Sequence, residues 1–328
     1  MLKMFIPDKF IVGLCTAVLL ASFLPVQGNS AEIVSEATNY AVALLFFLHG
    51  AKLGRSTVIQ GLIHWRLHLV IMGFTFVVFP LLGLSLELIP SSILDPEIYA
   101  GFLFLCVLPS TVQSSIAFTS IAGGNVPAAV CSATVSNILG IFITPVLVGL
   151  LFKSNADITI SLETFRSIIM QLLLPFIIGQ IFQPVLVSFF KKYKTIIGYV
   201  DRGSILLVVY SAFSDAVVSG LWQKTSLSDL ILIGIISSLL LTTVLFMTCY
   251  GSRFLKFNRE DEIAIIFCGS KKTLASGVPM ASVIFAGQNI GAIILPLMIF
   301  HQIQLMVCAF IARHYASKLE HETSDGGY

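Results

Sequence analysis

The chain predicts an all-α integral membrane protein of ten transmembrane helices, built as two inverted five-helix repeats. Three observations lead there: a composition unsuited to water, the spacing of apolar runs, and a motif that recurs five runs apart. The 328 residues are 56% hydrophobic and only 11% charged, against roughly 25% charged in soluble domains. Such a chain cannot cover itself with a polar surface. The formal net charge of +2 gives no footprint for nucleic acid.

Apolar runs fall at roughly 10–27, 35–51, 67–89, 99–120, 126–152, 168–190, 196–221, 228–251, 263–285 and 289–313. Most are near the about 20 residues a helix needs to cross hydrocarbon. Lys3 and Lys9 before Phe10 would suit a signal peptide, but nine further runs follow, so the first helix is expected to stay. Asn39, Asp201 and Asp215 dilute the second and seventh runs.

Charge placement fixes the orientation. With ten spans and an inside N-terminus, the inner segments hold Lys3, Lys9, Lys52, Arg55, Arg66, Lys191, Lys192, Lys194, Arg202, Arg253, Lys256, Arg259, Arg313 and Lys318. The outer segments hold only Lys153, Arg166 and Lys224. Fourteen against three is a strong positive-inside bias, and one span more or fewer would scramble it. Both termini are expected in the cytoplasm of a cell whose inner membrane carries the protein.

The fourth run contains Cys106-Val-Leu-Pro-Ser-Thr111-Val-Gln-Ser114 and the ninth Cys268-Gly-Ser-Lys-Lys-Thr273-Leu-Ala-Ser276. Both read C-x4-T-[VL]-x-S. In the run that follows each, a glycine stands five residues before a proline: Gly140 and Pro145, Gly291 and Pro296. Five spans is an odd number, so the second copy crosses in the opposite sense, the inverted repeat of secondary transporters. The expected organisation is 1–155 and 156–315 for the two repeats, with 316–328 a cytoplasmic tail.

Spans 4 and 9 are the least lipid-like. Span 4 gathers Pro109, Ser110, Thr111, Gln113, Ser114 and Ser115; span 9 gathers Gly269, Ser270, Lys271, Lys272, Thr273, Ser276, Gly277 and Pro279. Proline and glycine weaken the helical ladder, and exposed backbone is tolerated at membrane depth only where protein or a water-filled cavity satisfies it. Each span is expected to be a broken helix with polar groups at the break. Small polar residues also serve close helix packing, but two symmetry-related clusters, one with two lysines, favour a binding site.

Leu45-Leu-Phe-Phe-Leu-His-Gly-Ala-Lys52, Leu108-Pro-Ser-Thr-Val-Gln-Ser-Ser115 with Ala122-Gly-Gly-Asn-Val126, and Phe267-Cys-Gly-Ser-Lys-Lys-Thr273 resemble the bile acid:sodium symporter superfamily (solute carrier family ten). The nearest likeness is to its seventh-member-like bacterial and eukaryotic branch. The resemblance covers nearly the whole chain. It implies a core of spans 3–5 and 8–10, a panel of spans 1, 2, 6 and 7, and substrate and ion sites where broken helices 4 and 9 cross.

The family's sodium ligands are mostly missing. The resemblance places a Ser-Asn pair on Ser115 and Ile116, span 5 ligands on Ala129 and Ala133, a Glu on Phe267, and Gln ligands on Lys271 and near Thr75. A hard cation needs several oxygens, so the two-sodium mechanism is not expected here. Lys271 or Lys272 is expected to supply the positive charge instead. A lysine inside a span costs several kcal/mol unless hydrated or paired. Snorkelling would have to carry Lys271 about nine residues, or about 13 Å, to the inner end of its helix.

Asp215 is the one acid well inside a predicted span, a candidate for neutralising a lysine or for proton coupling with Lys271. Two lysines against one aspartate favour a small organic anion as substrate. His49, Gln171, Gln180, His301, Gln302 and Gln304 are expected mainly in helix–helix hydrogen bonds, and Gly123-Gly124-Asn125 in a turn rather than a phosphate loop. Cys15, Cys106, Cys131, Cys249, Cys268 and Cys308 form no C-x-x-C pair and sit in apolar stretches, so no metal centre, disulfide or cofactor is implied. No acid–base pair suggests an embedded enzyme. Two other readings stay open: a regulatory or scaffold protein on a transporter fold, and a sodium-coupled symporter with altered ligands.

Overall fold

The computed structural model describes residues 9–52, 64–152, 169–218, 225–286 and 288–325, with single positions 166, 220 and 223. The predicted inner or outer positions of Lys3, Arg55, Lys153 and Lys224 lie outside the described residues. The helices are α1 (Lys9–Phe23), α2 (Asn29–Lys52), α3 (Trp65–Gly73), α4 (Phe79–Ser85), α5 (Pro96–Val107), α6 (Gln113–Ile121), α7 (Val126–Leu151), α8 (Leu174–Lys192), α9 (Lys194–Val218), α10 (Leu227–Phe254), α11 (Arg259–Gly269), α12 (Leu274–Ile284) and α13 (Ile290–Asp325). No strand occurs among the described residues.

Seven of the ten predicted runs are helices long and apolar enough to cross a membrane, from Asn29–Lys52 to Ile290–Lys318. The other three differ for identifiable reasons. The described part of α1 is 15 residues. The fourth and ninth runs are each divided, into α5 and α6 and into α11 and α12, by non-helical backbone.

The chain forms two compact units. The first comprises Met1–Gly54, Thr159–Ser226 and Val278–Ile294. In it α2 packs along α8 and α9, and α1 along α9. Gly50 and Gly179 permit the α2–α8 approach: a Cβ on Gly50 would lie 2.1 Å from the Phe176 carbonyl oxygen, and one on Gly179 2.2 Å from that of Phe47. Small residues at membrane helix contacts serve this end. Gln180 Nε2 donates to the Gly50 carbonyl. Lys52 Nζ donates to Asp201 Oδ2 at 2.7 Å, with His49 Nε2 3.6 Å from Oδ1. Gln180 thus joins two helices by a hydrogen bond, as expected, whereas His49 makes the longer approach to Asp201 and the buried Gln171 Oε1 has no hydrogen-bond partner among the described residues.

The second unit comprises Arg55–Ile158, Leu227–Gly277 and Leu295–Tyr328. Its α11 lies against α3, α6, α7 and α10, burying Ile263, Ala264, Ile265, Phe267 and Cys268 at 3% exposure or less. Between α3 and α4 the chain makes a π-turn, Phe74–Val78, in which Phe79 N–H bonds to the Phe74 carbonyl.

The Gly123–Gly124–Asn125 turn is a clasp. Gly123 has φ 71°, open to glycine at little cost. A Cβ on Gly124 would lie 2.4 Å from Ile263 Cγ2. Asn125 Oδ1 caps α7 by accepting from Ala128 N at 3.0 Å, its Nδ2 donates to Asp261 Oδ1 at 2.7 Å, and its backbone N donates to Glu260 O at 2.9 Å. The ends of α6 and α7 are thereby fixed to the start of α11.

Candidate substrate and cation site

Both breaks lie in the second unit, and at each the sequence dictates which backbone groups are orphaned. Helix ends leave their last carbonyls without intrahelical donors, and buried ones must find others. At the first break Pro109 has no N–H, and Leu108 turns extended at φ −72°, ψ 154°. The Leu105 carbonyl takes Leu108 N at 3.3 Å. The Val107 carbonyl takes Thr144 Oγ1 at 2.8 Å. The Pro109 carbonyl takes Thr273 N at 3.0 Å, and that of Ser110 takes Asn137 Nδ2 at 2.6 Å.

Of the carbonyls from Leu105 to Ser110, those of Cys106 and Leu108 remain, and Lys272 Nζ donates to them at 2.8 and 2.6 Å. A third N–H goes to the Thr75 carbonyl at 2.8 Å. That carbonyl is available because Phe79 N–H is taken by Phe74 across the π-turn and the next residue, Pro80, has no N–H. Three acceptors match the three donors of an ammonium. The Phe79 ring, 4.2 Å from Nζ to its centroid, closes the remaining side, a favourable placement for a cation. A positive group at the carboxyl end of α5 also complements its dipole.

At the second break the last carbonyls of α11 are closed mainly by hydroxyls. Ser270 Oγ donates to Ile266 O at 2.6 Å, Ser115 Oγ to Phe267 O at 2.8 Å and Ser110 Oγ to Cys268 O at 2.6 Å. Gln304 holds the backbone of Lys272 in both directions: Oε1 accepts from N at 3.0 Å and Nε2 donates to O at 2.9 Å. Each break therefore caps the other.

Lys271 is less fully engaged. Its Nζ donates to the Ser114 carbonyl at 3.0 Å and lies 3.9 Å from the Phe118 ring centroid and 5.4 Å from that of Phe267. Both lysines have 0% exposure, and neither forms an ion pair with an acid among the described residues. A pair of buried cations with no counter-ion is costly; here carbonyls and ring faces stand in for water.

The structure brings Ser110, Thr111, Gln113, Ser114, Ser115, Thr75, Lys271, Lys272, Thr273 and Ser276 into one unit, and leaves Asp215 exposed on α9 of the other. Within the cluster Thr111 Oγ1 lies 2.7 Å from Ser114 Oγ and 3.1 Å from Ser115 Oγ. Thr75 acts through its backbone carbonyl; its own hydroxyl bonds to Ile71 O at 2.8 Å. Gln113 is exposed on α6. No group of three or more metal-ligating side chains occurs among the described residues.

Sequence reading missed the contribution of α7. Ser136 Oγ accepts from Ser110 N at 3.1 Å, and Asn137 receives Ser276 Oγ on its Oδ1 at 3.3 Å while holding Ser110. Asn137 thus touches both breaks. The signal was present: Ser132, Ser136, Gly140 and Thr144 recur every four residues on one helical face. Gly140 allows that face to approach, since a Cβ there would lie 2.6 Å from Pro109 Cγ.

Comparison with known proteins agrees with this architecture. The model of the SBF-like CPA transporter family matches residues 8–317. The chain is similar to the putative symporter YfeH of Escherichia coli (strain K12), at 51% identity over 320 residues covering 97% of this chain and 96% of the relative. It is also similar to sodium/bile acid cotransporter 7 of Rattus norvegicus, at 31% identity over 306 residues covering 92% and 90%. This chain of apolar spanning helices, with two interrupted stretches whose buried polar groups are satisfied by one another and by neighbouring helices, belongs to the SBF-like CPA transporter family, multi-pass membrane transporters of the bile acid:sodium symporter type.

Proposed function

We propose that this protein is a secondary transporter that moves a small organic anion by alternating access, with intramembrane lysine in place of the family's sodium. The observation that carries this is the pair of wholly buried lysines at a helix break, without an acidic partner among the described residues. A site with fixed positive charge attracts anions and repels cations. Lys272 has its donors filled by carbonyls. Lys271, with one carbonyl and two ring faces, is the group left to meet substrate, beside Ser114 and the Thr111 hydroxyl bonded to it.

The proposed transporter has ten spans in two inverted repeats, residues 1–155 and 156–315, with both termini in the cytoplasm, in a bacterial inner membrane. The fourteen-to-three charge bias and the paired C-x4-T-[VL]-x-S motifs support this part. Two inverted halves around a fixed site can exchange inward-open and outward-open shapes.

A sodium-coupled cycle is the second reading, favoured by the name of the rat relative, a sodium/bile acid cotransporter. Uptake of labelled organic anions, bile acids among them, into vesicles containing the protein separates the two. Sodium-free uptake that responds to an imposed proton gradient, or to none, supports the proposal. Uptake that requires a sodium gradient supports the second reading, and no uptake of any organic anion contradicts both.

A further inference from the structure

Lys272 Nζ sits in a cage made of main chain: the carbonyls of Thr75, Cys106 and Leu108 at 2.8, 2.8 and 2.6 Å, and the Phe79 ring at 4.2 Å. All three oxygens exist independently of the lysine. The Thr75 carbonyl is freed by the π-turn and Pro80, and those of Cys106 and Leu108 by the stop at Pro109. Removing the side chain would leave three buried acceptors with no donor, an unfavourable state.

We propose that this cage is a binding site for a small monovalent cation of the ammonium type, and that Lys272 is its covalently attached occupant. The break at Pro109 therefore requires a cation, and the attached lysine frees the wild-type fold from any external one. The inference rests on the reading that lysine replaces a mobile ion, but it involves neither the transported anion nor Lys271.

The geometry also sets the selectivity. Contacts of 2.6–2.8 Å are hydrogen-bond lengths, and three donors pointing at three oxygens suit a charged N–H group. The fourth side is a ring face, which attracts a cation while offering no oxygen. A hard metal ion, which seeks six or more oxygens, would find only three. Ammonium and methylammonium should fit, and sodium should fit poorly. Methylammonium can also occupy part of the channel vacated by the lysine stem.

The test is Lys272→Ala protein purified in lipid nanodiscs and melted in chloride salts of ammonium, methylammonium, sodium or choline at equal ionic strength. Ammonium and methylammonium are expected to raise the Tm of Lys272→Ala by several degrees over choline, with a smaller effect of sodium. Wild type, its cage filled, should melt alike in all four. Lys272→Met, which fills the cage with an apolar chain of similar length, should melt below wild type and ignore the salt. Recovery of Lys272→Ala only when ammonium is present during purification would also support the site. Equal melting of Lys272→Ala in every salt, its loss in every salt while Lys272→Met is recovered, or a wild type raised by ammonium as much as Lys272→Ala would overturn it. Because no substrate is used, failure of anion transport and failure of this site are separate results.

Discussion

Lys271 and Lys272 are adjacent in sequence and perform different work, because a break in the helix sends their side chains to different partners. Lys272 closes the end of α5, while Lys271 rests on Ser114 and two rings. Replacing Lys271 with Met should leave folded protein in the membrane and lower anion uptake at least about 10-fold, the loss expected for one charge-assisted hydrogen bond. Uptake per folded molecule checks this, and unchanged uptake would remove Lys271 from the site. Gln304 gives a contrasting outcome. Gln304→Leu orphans both the N–H and the carbonyl of Lys272, at about 1–3 kcal/mol per group, so the variant should melt several degrees lower. The lysines could be singled out from sequence because charge inside an apolar run is costly and therefore conspicuous. Their division of labour could not, since it depends on which distant carbonyls the breaks release.

At the scale of elements, the two interrupted helices were legible because Pro109 and the Gly269-Ser270 pair mark where the helical ladder fails. What fastens them was less legible. Cross-capping by Ser110 and Ser115 requires knowing that residues about 150 positions apart meet, which no local pattern contains. The α7 face was readable in principle from its four-residue spacing, but hydroxyls on a membrane helix usually bond to their own backbone, as Thr134 does to Val130 O at 2.7 Å. The clasp at Gly124 supplies a test at this scale. Gly124→Ala places a Cβ 2.4 Å from Ile263 Cγ2, and overpacking of this kind costs about 1–3 kcal/mol. A lower Tm and faster amide exchange in α6 and the start of α11 are expected. Loss of stability with exchange increased everywhere alike would contradict the clasp. Thr144→Val, which leaves the Val107 carbonyl bare, should cost about 1–3 kcal/mol, read as a shift in melting.

For the whole molecule, composition alone decided the environment, and helix length recovered seven of the ten expected spans. A count based on length leaves out any run divided by non-helical backbone, which is why the fourth and ninth runs are absent from it. The proposed inverted repeat further predicts that residues at corresponding turns face opposite sides. Single cysteines introduced at Ser92 and at Asn258, in a background without the native six, should label from the outside and the inside respectively. Labelling of both from one side would reject the ten-span topology.

The central step proposed for this transporter is the binding of an organic anion at the breaks through Lys271, without a metal ion. The measurement that addresses it directly is thermal stabilisation of purified wild type and Lys271→Met by a panel of organic anions, in buffer whose only small cation is choline. At least one anion should raise the Tm of wild type and leave Lys271→Met unmoved. Stabilisation that appears only after sodium is added, persists in Lys271→Met, or is absent for every anion would contradict it.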